Sequence, residues 1–568
     1  MRSTRLSPLV IAVTLAAASS AFAQQFLNQT STRFPATGNN EYTNQMTFAD
    51  LDGDDDLDIV WANGQGYSAA GVALKPRMYI NNGSGTFTDE TDARAPGITG
   101  WFRGVEAGDI DGDGDLDLIL AQDFNKKPIL LINNGSGNFT DGSANLPALT
   151  LSSSRAQFGD VDNDGDLDLI FANSGTVSRF GTNGRPRLYL NNGSGVFTDV
   201  ATVPTANISE QMDVLFTDVD NDLDLDIFVG SRASNSQLWL NNGTGTYTKV
   251  SSAGNGMPVG GSSYSYDSAD IDGDGDMDFI GVNSGTGSQE LLLKNVNGIG
   301  TQWVNVSATI SPNPANDDND SRFFDNDMDG DLDLFVGALG GNDRYYANSG
   351  TGAFTQVTSG IFPTGSDSTL DTKVGDLTGD GRTDIVTAQG ESGVFTNKIY
   401  VNSTGAFDTL APTIKLTEQV VPGAGSGPFA VRAEVFDQSA NDRGYEFKAN
   451  AVKLVYSVDG GTPVEIPMTW VGAWNFRAVL PNVGDCHDVA YHVVAVDRTG
   501  NVGTGREKTY STDSGACSTP GDLDGNGTVD AADLSILLGQ WGGPGSADFD
   551  GSGTVDAADL AALLGFWS

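Results

Sequence analysis

A mainly β chain is predicted: a seven-bladed propeller, then a β-sandwich, then a small α-helical tail. Three observations predict it. A strand, acidic loop, strand and hairpin unit recurs seven times over residues 24–410, short alternating runs follow over 411–510, and 521–568 holds two near-duplicate acid loops with helical periodicity behind each.

The chain has 568 residues and begins MRSTRLSPLVIAVTLAAASSAFAQQ. Arg2 and Arg5 precede an apolar run from Leu9 to Ala18, and Ala21-Phe22-Ala23 supplies a small-x-small cleavage site. Residues 1–23 therefore read as a secretory signal peptide, and the protein is expected outside the cell or on its surface. No other stretch is long and apolar enough to span a bilayer. With 74 acidic against 30 basic residues the formal charge is -44. That balance argues against nucleic acid and anionic membranes, which call for Lys and Arg. It also sets like charges against one another in the compact state, a cost that divalent cations would relieve. Cys486 and Cys517 are the two cysteines, a candidate disulfide in an exported chain.

The repeats set the first domain. Acidic loops start at Asp50, Asp109, Asp160, Asp218, Asp270, Asp325 and Asp376, roughly 50–60 residues apart. Each runs into a strand-like stretch: DIVWA, DLILA, DLIFA, DIFVG, DFIGV, DLFVG and DIVTA. A hairpin signal follows each, as in MYINNGSGTF, LLINNGSGNF and LYLNNGSGVF. About four short strands in a unit of this length match one propeller blade. Closure into a disc would remove exposed sheet edges. Phe26–Phe34, FLNQTSTRF, looks like a worn copy of the hairpin, so the N-terminus is expected to share a blade with the end of the seventh unit.

Loop chemistry follows from spacing. Asp109, Asp111, Asp113 and Asp117 are positions 1, 3, 5 and 9, with Gly114 at position 6. Alternate carboxylates around one hard cation, with a carbonyl at position 7 and a water, suit calcium, which takes about six to eight oxygens. The same positions are Asp160, Asp162, Asp164 and Asp168; Asp270, Asp272, Asp274 and Asp278; and Asp325, Asp327, Asp329 and Asp333. Asp50, Asp52, Asp54 and Asp58 fit with Asp55 in place of the glycine, and Asp218, Asp220, Asp222 and Asp226 fit with Leu223 there. The seventh loop reads Asp376, Thr378, Asp380 and Asp384. Crowded carboxylates without a cation would repel one another. A glycosidase pair needs a set gap and divided protonation, which near-identical clusters do not offer. Magnesium keeps its waters and disfavours such dense cages.

These units resemble FG-GAP/VCBS-type repeats, as in the integrin alpha-subunit propeller and many secreted bacterial proteins. The resemblance covers residues 24–410 and implies calcium at the loop positions just named, on one side of the disc. A ligand face is then expected on the other side, with Tyr42, Trp101, Arg103, Arg155, Tyr264, Tyr266 and Arg322 as candidates. Aromatic platforms suit sugars or peptides, and arginines suit an acidic glycan.

Residues 411–510 alternate in runs such as FAVRAEVFD, AVKLVYSVDGG and VAYHVVAVDRTGN, which predict an antiparallel sandwich. They resemble an immunoglobulin-like or fibronectin-type-III-like module. His487 and His492 lie here and read as structural; the repeats hold neither His nor Cys, which excludes Ser-His-Asp and zinc-histidine chemistry there. Residues 511–520 read as a linker.

The tail, 521–568, has Asp522, Asp524, Asn526, Asp530 and Asp533, then Asp548, Asp550, Ser552, Asp556 and Asp559, at positions 1, 3, 5, 9 and 12. Gly527 and Gly553 take position 6, and the spacing is EF-hand-like with Asp closing the loop. AADLSILL and AADLAALL predict short amphipathic helices in which Leu534, Leu537 and Leu538 share a face with Leu560 and Leu563. The tandem resembles a type I dockerin, which implies two more calcium ions and a cohesin-like partner; Ala531-Ala532 and Ala557-Ala558 stand where that family has Ser-Thr. The function expected is recognition or adhesion by a secreted monomer binding a glycan or an extracellular protein, with about nine calcium ions. No catalytic residue is assigned. A polysaccharide lyase or glycoside hydrolase, or a purely structural surface protein, is the alternative.

Overall fold

The computed structural model describes residues 24–567 apart from 176, 201–206, 251–262, 284–286, 364, 366–367, 391–392, 422–424, 440–444, 513–519 and 526–527. Residues 1–23, expected to be a signal peptide, lie outside the described residues, as do Cys517, Asn526, Gly527 and most of 511–520, expected to be a linker. Cys486 is disulfide-bonded. Among the described residues no helix is long and apolar enough to cross a membrane.

Among the described residues, 26–402 build seven sheets of four or five strands, six of them four-stranded and antiparallel, beside two short two-stranded sheets. Their first strands are Thr43–Ala49, Phe102–Gly108, Ser153–Gly159, Gln211–Thr217, Tyr266–Ala269, Asp318–Phe324 and Thr369–Gly375. The sixth sheet gains a short parallel strand, Ile310–Ser311, beside Phe354. The strands after the loops read as unbroken apolar runs because both of their faces are covered. In Asp117–Gln122, Leu118 and Leu120 join a core with Val60 and Met78 of the first unit. Ile119 and Ala121, pointing the other way, join a core with Phe158 and Leu169 of the third.

Polar side chains tie six of these first strands to the next one round. Gln45 Oε1 accepts from Val105 N at 2.8 Å, Gln157 Oε1 from Phe216 N at 2.8 Å and Asp213 Oδ2 from Tyr266 N at 2.8 Å. Asp267 Oδ2 accepts from Phe323 N at 3.1 Å and Asp320 Oδ2 from Thr372 N at 2.7 Å. Asp371 Oδ2 then accepts from Met46 N at 2.9 Å, which joins the seventh unit to the first. Between these strands Arg155 lies among three carboxylates: its Nη1 is 3.0 Å from Asp371, its Nε 3.5 Å from Asp213 and its Nη2 3.9 Å from Asp320.

The N-terminus joins the seventh sheet. Phe26–Asn28 pairs antiparallel with Lys398–Asn402, Phe26 opposite Asn402. The stretch after it departs from the hairpin its sequence suggested: Thr30–Arg33 is a helical turn. The true hairpins turn through glycines at positive φ, such as Gly83 at 76° and Gly85 at 70°. The run QTSTR has no glycine to adopt that conformation.

Residues 413–511 form two sheets facing each other across one core that includes Val431, Val435, Leu454, Phe476, Tyr491 and Val493. The tail has two helices, Ala531–Gly539 and Ala557–Gly565. Asp530 and Asp556 are their N-caps, each in a reciprocal box with Asp533 or Asp559. Leu537 and Leu563 are buried together and Leu534 and Leu560 pack beside them. Leu538 is the exception to the expected shared face: it is 53% exposed, because the short helix points it away from its twin.

Candidate metal centres

Each acidic loop follows a first strand and folds around the carboxylate at position 1. Asp109 Oδ1 accepts from Gly112 N at 2.8 Å and its Oδ2 from Gly114 N at 3.0 Å. Asp50 takes Gly53 N and Asp55 N at 2.8 and 2.9 Å, and Asp376 takes Gly379 N and Gly381 N at 2.8 and 2.7 Å. Position 6 must then take a left-handed conformation. Gly114 does so at φ 93°, and Asp55 and Leu223 are held there at 72° and 68° despite their side chains.

Position 9 opens the next strand and uses both oxygens on main-chain donors. Asp117 Oδ1 accepts from Asn133 N at 2.7 Å and its Oδ2 from Ile110 N at 3.3 Å. The same pair of bonds recurs at Asp58, Asp168, Asp226, Asp278, Asp333 and Asp384. The asparagine that opens each hairpin is a functional residue to which sequence reasoning assigned no role. Its carboxamide reaches in two directions. Asn133 Nδ2 donates to Leu116 O of its own loop at 3.1 Å and to Leu51 O of the preceding loop at 2.9 Å. Asn191, Asn241 and Asn348 repeat this, and Asn295 keeps the bond to the preceding loop. Asn81 Nδ2 reaches Leu377 O at 3.0 Å, again linking the first unit to the seventh. The signal was the recurrence of the first Asn in every hairpin.

Carboxylates converge at these loops. Asp50, Asp52 and Asp58 each offer an oxygen within 4.8 Å of the others, as do Asp109, Asp111 and Asp117; Asp160, Asp162 and Asp168; Asp218, Asp220 and Asp226; and Asp270, Asp272 and Asp278. These triads are positions 1, 3 and 9. Position 5 also holds the loop: Asp113 Oδ1 accepts from Asp115 N at 3.0 Å. One oxygen at position 3 is left over. Asp52, Asp111, Asp162, Asp220 and Asp272 each have a buried Oδ1 with no hydrogen-bond partner. A buried, unsatisfied carboxylate oxygen is costly, and a hard cation among the triad would satisfy it, so the donor set fits one.

The electrostatics agree. Burial pushes Asp58 up to about 8, with Asp52 and Asp54 adding to the rise. Burial likewise takes Asp117 to about 7 and Asp168 and Asp278 to about 8. In the fifth loop Lys294 pairs with Asp272 and with Asp274, an internal counter-charge from the hairpin. In the tail, Asp533 Oδ1 accepts from Leu523 N at 2.6 Å and Asp524 N at 3.1 Å, so position 12 closes its loop by hydrogen bonds, and Asp559 does the same.

The acid-loop side is covered by the 413–511 sheets. Asp160 N donates to Val471 O at 2.8 Å and Asp325 N to Gln438 O at 2.9 Å. Arg432 Nη1 donates to Asn163 Oδ1 at 2.7 Å and Leu223 O at 2.9 Å and pairs with Asp224. Arg498 Nη1 donates to Asp55 O at 2.9 Å. Trp474 enters a core with Phe216 and Leu225. The module thus brings cationic side chains onto the acidic loops.

The seven residues expected on a ligand face are dispersed. Tyr42, Arg103, Tyr266 and Arg322 are buried. Arg103 Nη1 donates to Gly64 O at 3.1 Å and its Nε lies 3.7 Å from Asp123. Arg322 Nε donates to Thr372 O at 2.7 Å. Arg155 holds the acids between the first strands. Trp101 and Tyr264 keep part of their rings exposed. Trp101 Nε1 donates to Gly71 O at 2.9 Å and Lys126 Nζ lies 4.6 Å from its ring centroid.

A family model described as FG-GAP-like repeat matches residues 50–120, 110–171, 176–229, 218–281 and 324–387, just over half of the chain. The chain belongs to the FG-GAP-like repeat family. Its FG-GAP-like matches begin or end in or beside the acidic loops and strands described above. No curated protein matches. Among solved structures, the crystal structure of the V. cholerae biofilm matrix protein Bap1 is 14% identical over 85% of this chain and 76% of that one, with a TM-score of 0.29.

Two outcomes are expected. Asn133→Ala strips buried Leu51 O and Leu116 O of a donor and should cost about 2–4 kcal/mol in urea unfolding, whereas Asn138→Ala, at the exposed turn, should stay within about 0.5 kcal/mol. In chelator, Asp58, Asp117, Asp168 and Asp278 keep protons in the folded state that the unfolded chain releases near pH 4. The folded state then binds more protons, so stability falls as pH rises. Calorimetry in chelator should show Tm falling from about pH 5 to about pH 8.

Proposed function

We propose that this is a secreted recognition or adhesion protein whose scaffold is held by calcium. Residues 24–410 are read as a closed seven-bladed propeller. Support for closure comes from the bonds of Asp371 with Met46 and of Asn81 with Leu377, and from the N-terminal strand in the seventh sheet. Residues 411–510 are read as an immunoglobulin-like or fibronectin-like sandwich and 521–568 as a dockerin-like attachment tail. Cys486 and Cys517 are assigned to one disulfide.

The observation that carries the recognition reading is the asymmetry of the two sides. One side is occupied by the 413–511 module, through Arg432, Arg498 and Trp474. On the other side Tyr67, Phe180, Arg232 and Tyr264, from four different units, meet in one cluster. The open side is the one available to a glycan or an extracellular protein. Calcium rests on the carboxylate triads and on the unpartnered position-3 oxygens, since calcium takes oxygen donors in dense sets.

Two measurements test this. Equilibrium dialysis should find about nine calcium ions per chain, seven in the repeats and two in the tail. Asp111→Ala should lose one ion, and added calcium should raise Tm because ions held only by the folded state stabilise it. A count of zero or one would end the calcium reading. Arrays of glycans and extracellular proteins, probed with the full chain in calcium, should yield a ligand whose capture fails in chelator. Ligand capture unchanged by chelator would remove the calcium dependence, and no capture on either array would remove the recognition role.

A further inference from the structure

The cluster of Tyr67, Phe180, Arg232 and Tyr264 borders a cavity that the sequence reading did not foresee. The first strands run toward the acidic loops, so residues just before Tyr266–Ala269 and Asp318–Phe324, and just after Asp226–Ser231 and Asp278–Gly281, lie at the far end of the sheets. There Arg232, Tyr264, Asn283, Ser288, Asn316 and Asp317 line an open cavity of about 400 Å³, a size within the usual range of small-molecule sites.

Its walls are held in place before any ligand arrives. Tyr264 shares a hydroxyl hydrogen bond with Tyr67 at 3.0 Å. The Tyr67 ring stacks on Phe180 with centroids 4.4 Å apart. The Arg232 guanidinium lies 5.1 Å from the Phe180 centroid and 5.4 Å from that of Tyr264. Its Nη1 donates to Glu210 Oε2 at 2.9 Å, and no hydrogen bond among the described residues is made by its Nη2. Asn283 Nδ2 donates to Asp318 O and, at 3.3 Å, to Asp317 Oδ1. Asn316 and Asp317 are exposed at the rim.

We infer that this cavity binds a pyranose ring of a glycan, with Tyr264 and Arg232 as its wall and Asn316 and Asp317 at its rim. The inference rests on the recognition reading above and names its site and ligand class. An aromatic ring offers a platform for the C–H face of a sugar, while carboxamide, carboxylate and guanidinium groups together match vicinal hydroxyls, which both donate and accept. A peptide would want apolar pockets or a free strand edge, and this lining is polar. A phosphorylated ligand would meet Asp317 in a chain of net charge -44.

Titration calorimetry of the full chain in calcium tests it, with the neutral oligosaccharides cellohexaose, mannohexaose, xylohexaose and galactohexaose as probes. At least one should bind with a Kd of roughly 10 µM to 1 mM. Tyr264→Ala should weaken that binding by at least about tenfold. Tyr264→Phe, which keeps the ring and loses the bond to Tyr67, should bind within about twofold of the native chain. Each variant's calcium count and Tm report whether it is folded. Native-like binding by a folded Tyr264→Ala overturns this site while leaving the recognition role standing. Binding of none of the four probes overturns the saccharide inference, and capture of a protein on the array would then keep the recognition role. If Tyr264→Ala does not fold, Asn316→Ala at the exposed rim takes its place, and unchanged affinity there overturns the inference.

Discussion

One hydrogen-bonded pair, the aspartate at the end of each acidic loop with the asparagine that opens each hairpin, holds the repeats together. Asp117 fixes the main chain of Asn133 and of Ile110, and the Asn133 carboxamide spans its own loop and the one before it. A single pair therefore fastens three pieces of chain: the loop, the third strand and the neighbouring unit. Buried main-chain groups must find partners, and here one side chain serves carbonyls of two units at once. The bond from Asn81 to Leu377 applies the same rule between the first and seventh units, so the joint between the ends of the repeat region is made like the others.

That pair also sets the electrostatic problem of the protein. The aspartate is buried at the root of a loop that already holds two or three more carboxylates, and burial pushes it up to about 8 in the first, third and fifth units. Counter-charge comes from within the chain at some loops: Lys294 at the fifth, Arg432 at Asp224 of the fourth and Lys448 near Asp55 of the first. The position-3 oxygens of five loops stay unpartnered even so. In the reading proposed here calcium completes the balance. Folding of the loops, ion binding and seating of the 413–511 module on them are then linked equilibria, because each draws on the same carboxylates.

Local pattern made much of the molecule legible. The acidic loops and the apolar run behind each one were readable because the first is a spacing along the chain and the second is a run of apolar residues. The hairpins were readable because Asn-Gly turns announce themselves, and Gly83 and Gly85 do take the positive φ that such turns need. The ligand face was not readable. Arg103, Arg155 and Arg322 were expected on a face away from the acidic loops, where they would suit an acidic glycan. Their strands are covered on both sides, and the guanidinium groups meet acids or carbonyls from other units. Leu538 of the tail looked like its neighbour Leu537, but a nine-residue helix buries one and exposes the other.

The sequence by itself determined the repeat, its loops and the order of its parts, because each depends on residues close together in the chain. Turn glycines, strand alternation and the 1, 3, 5, 9 spacing act over a few residues and need no partner to be recognised. The tertiary structure alone decided which side of the repeats is open. It seats the module on the acidic loops and brings Tyr67, Phe180, Arg232 and Tyr264 together at the far end, across nearly two hundred residues of sequence. Such contacts depend on how whole sheets stack, and no local pattern carries that information.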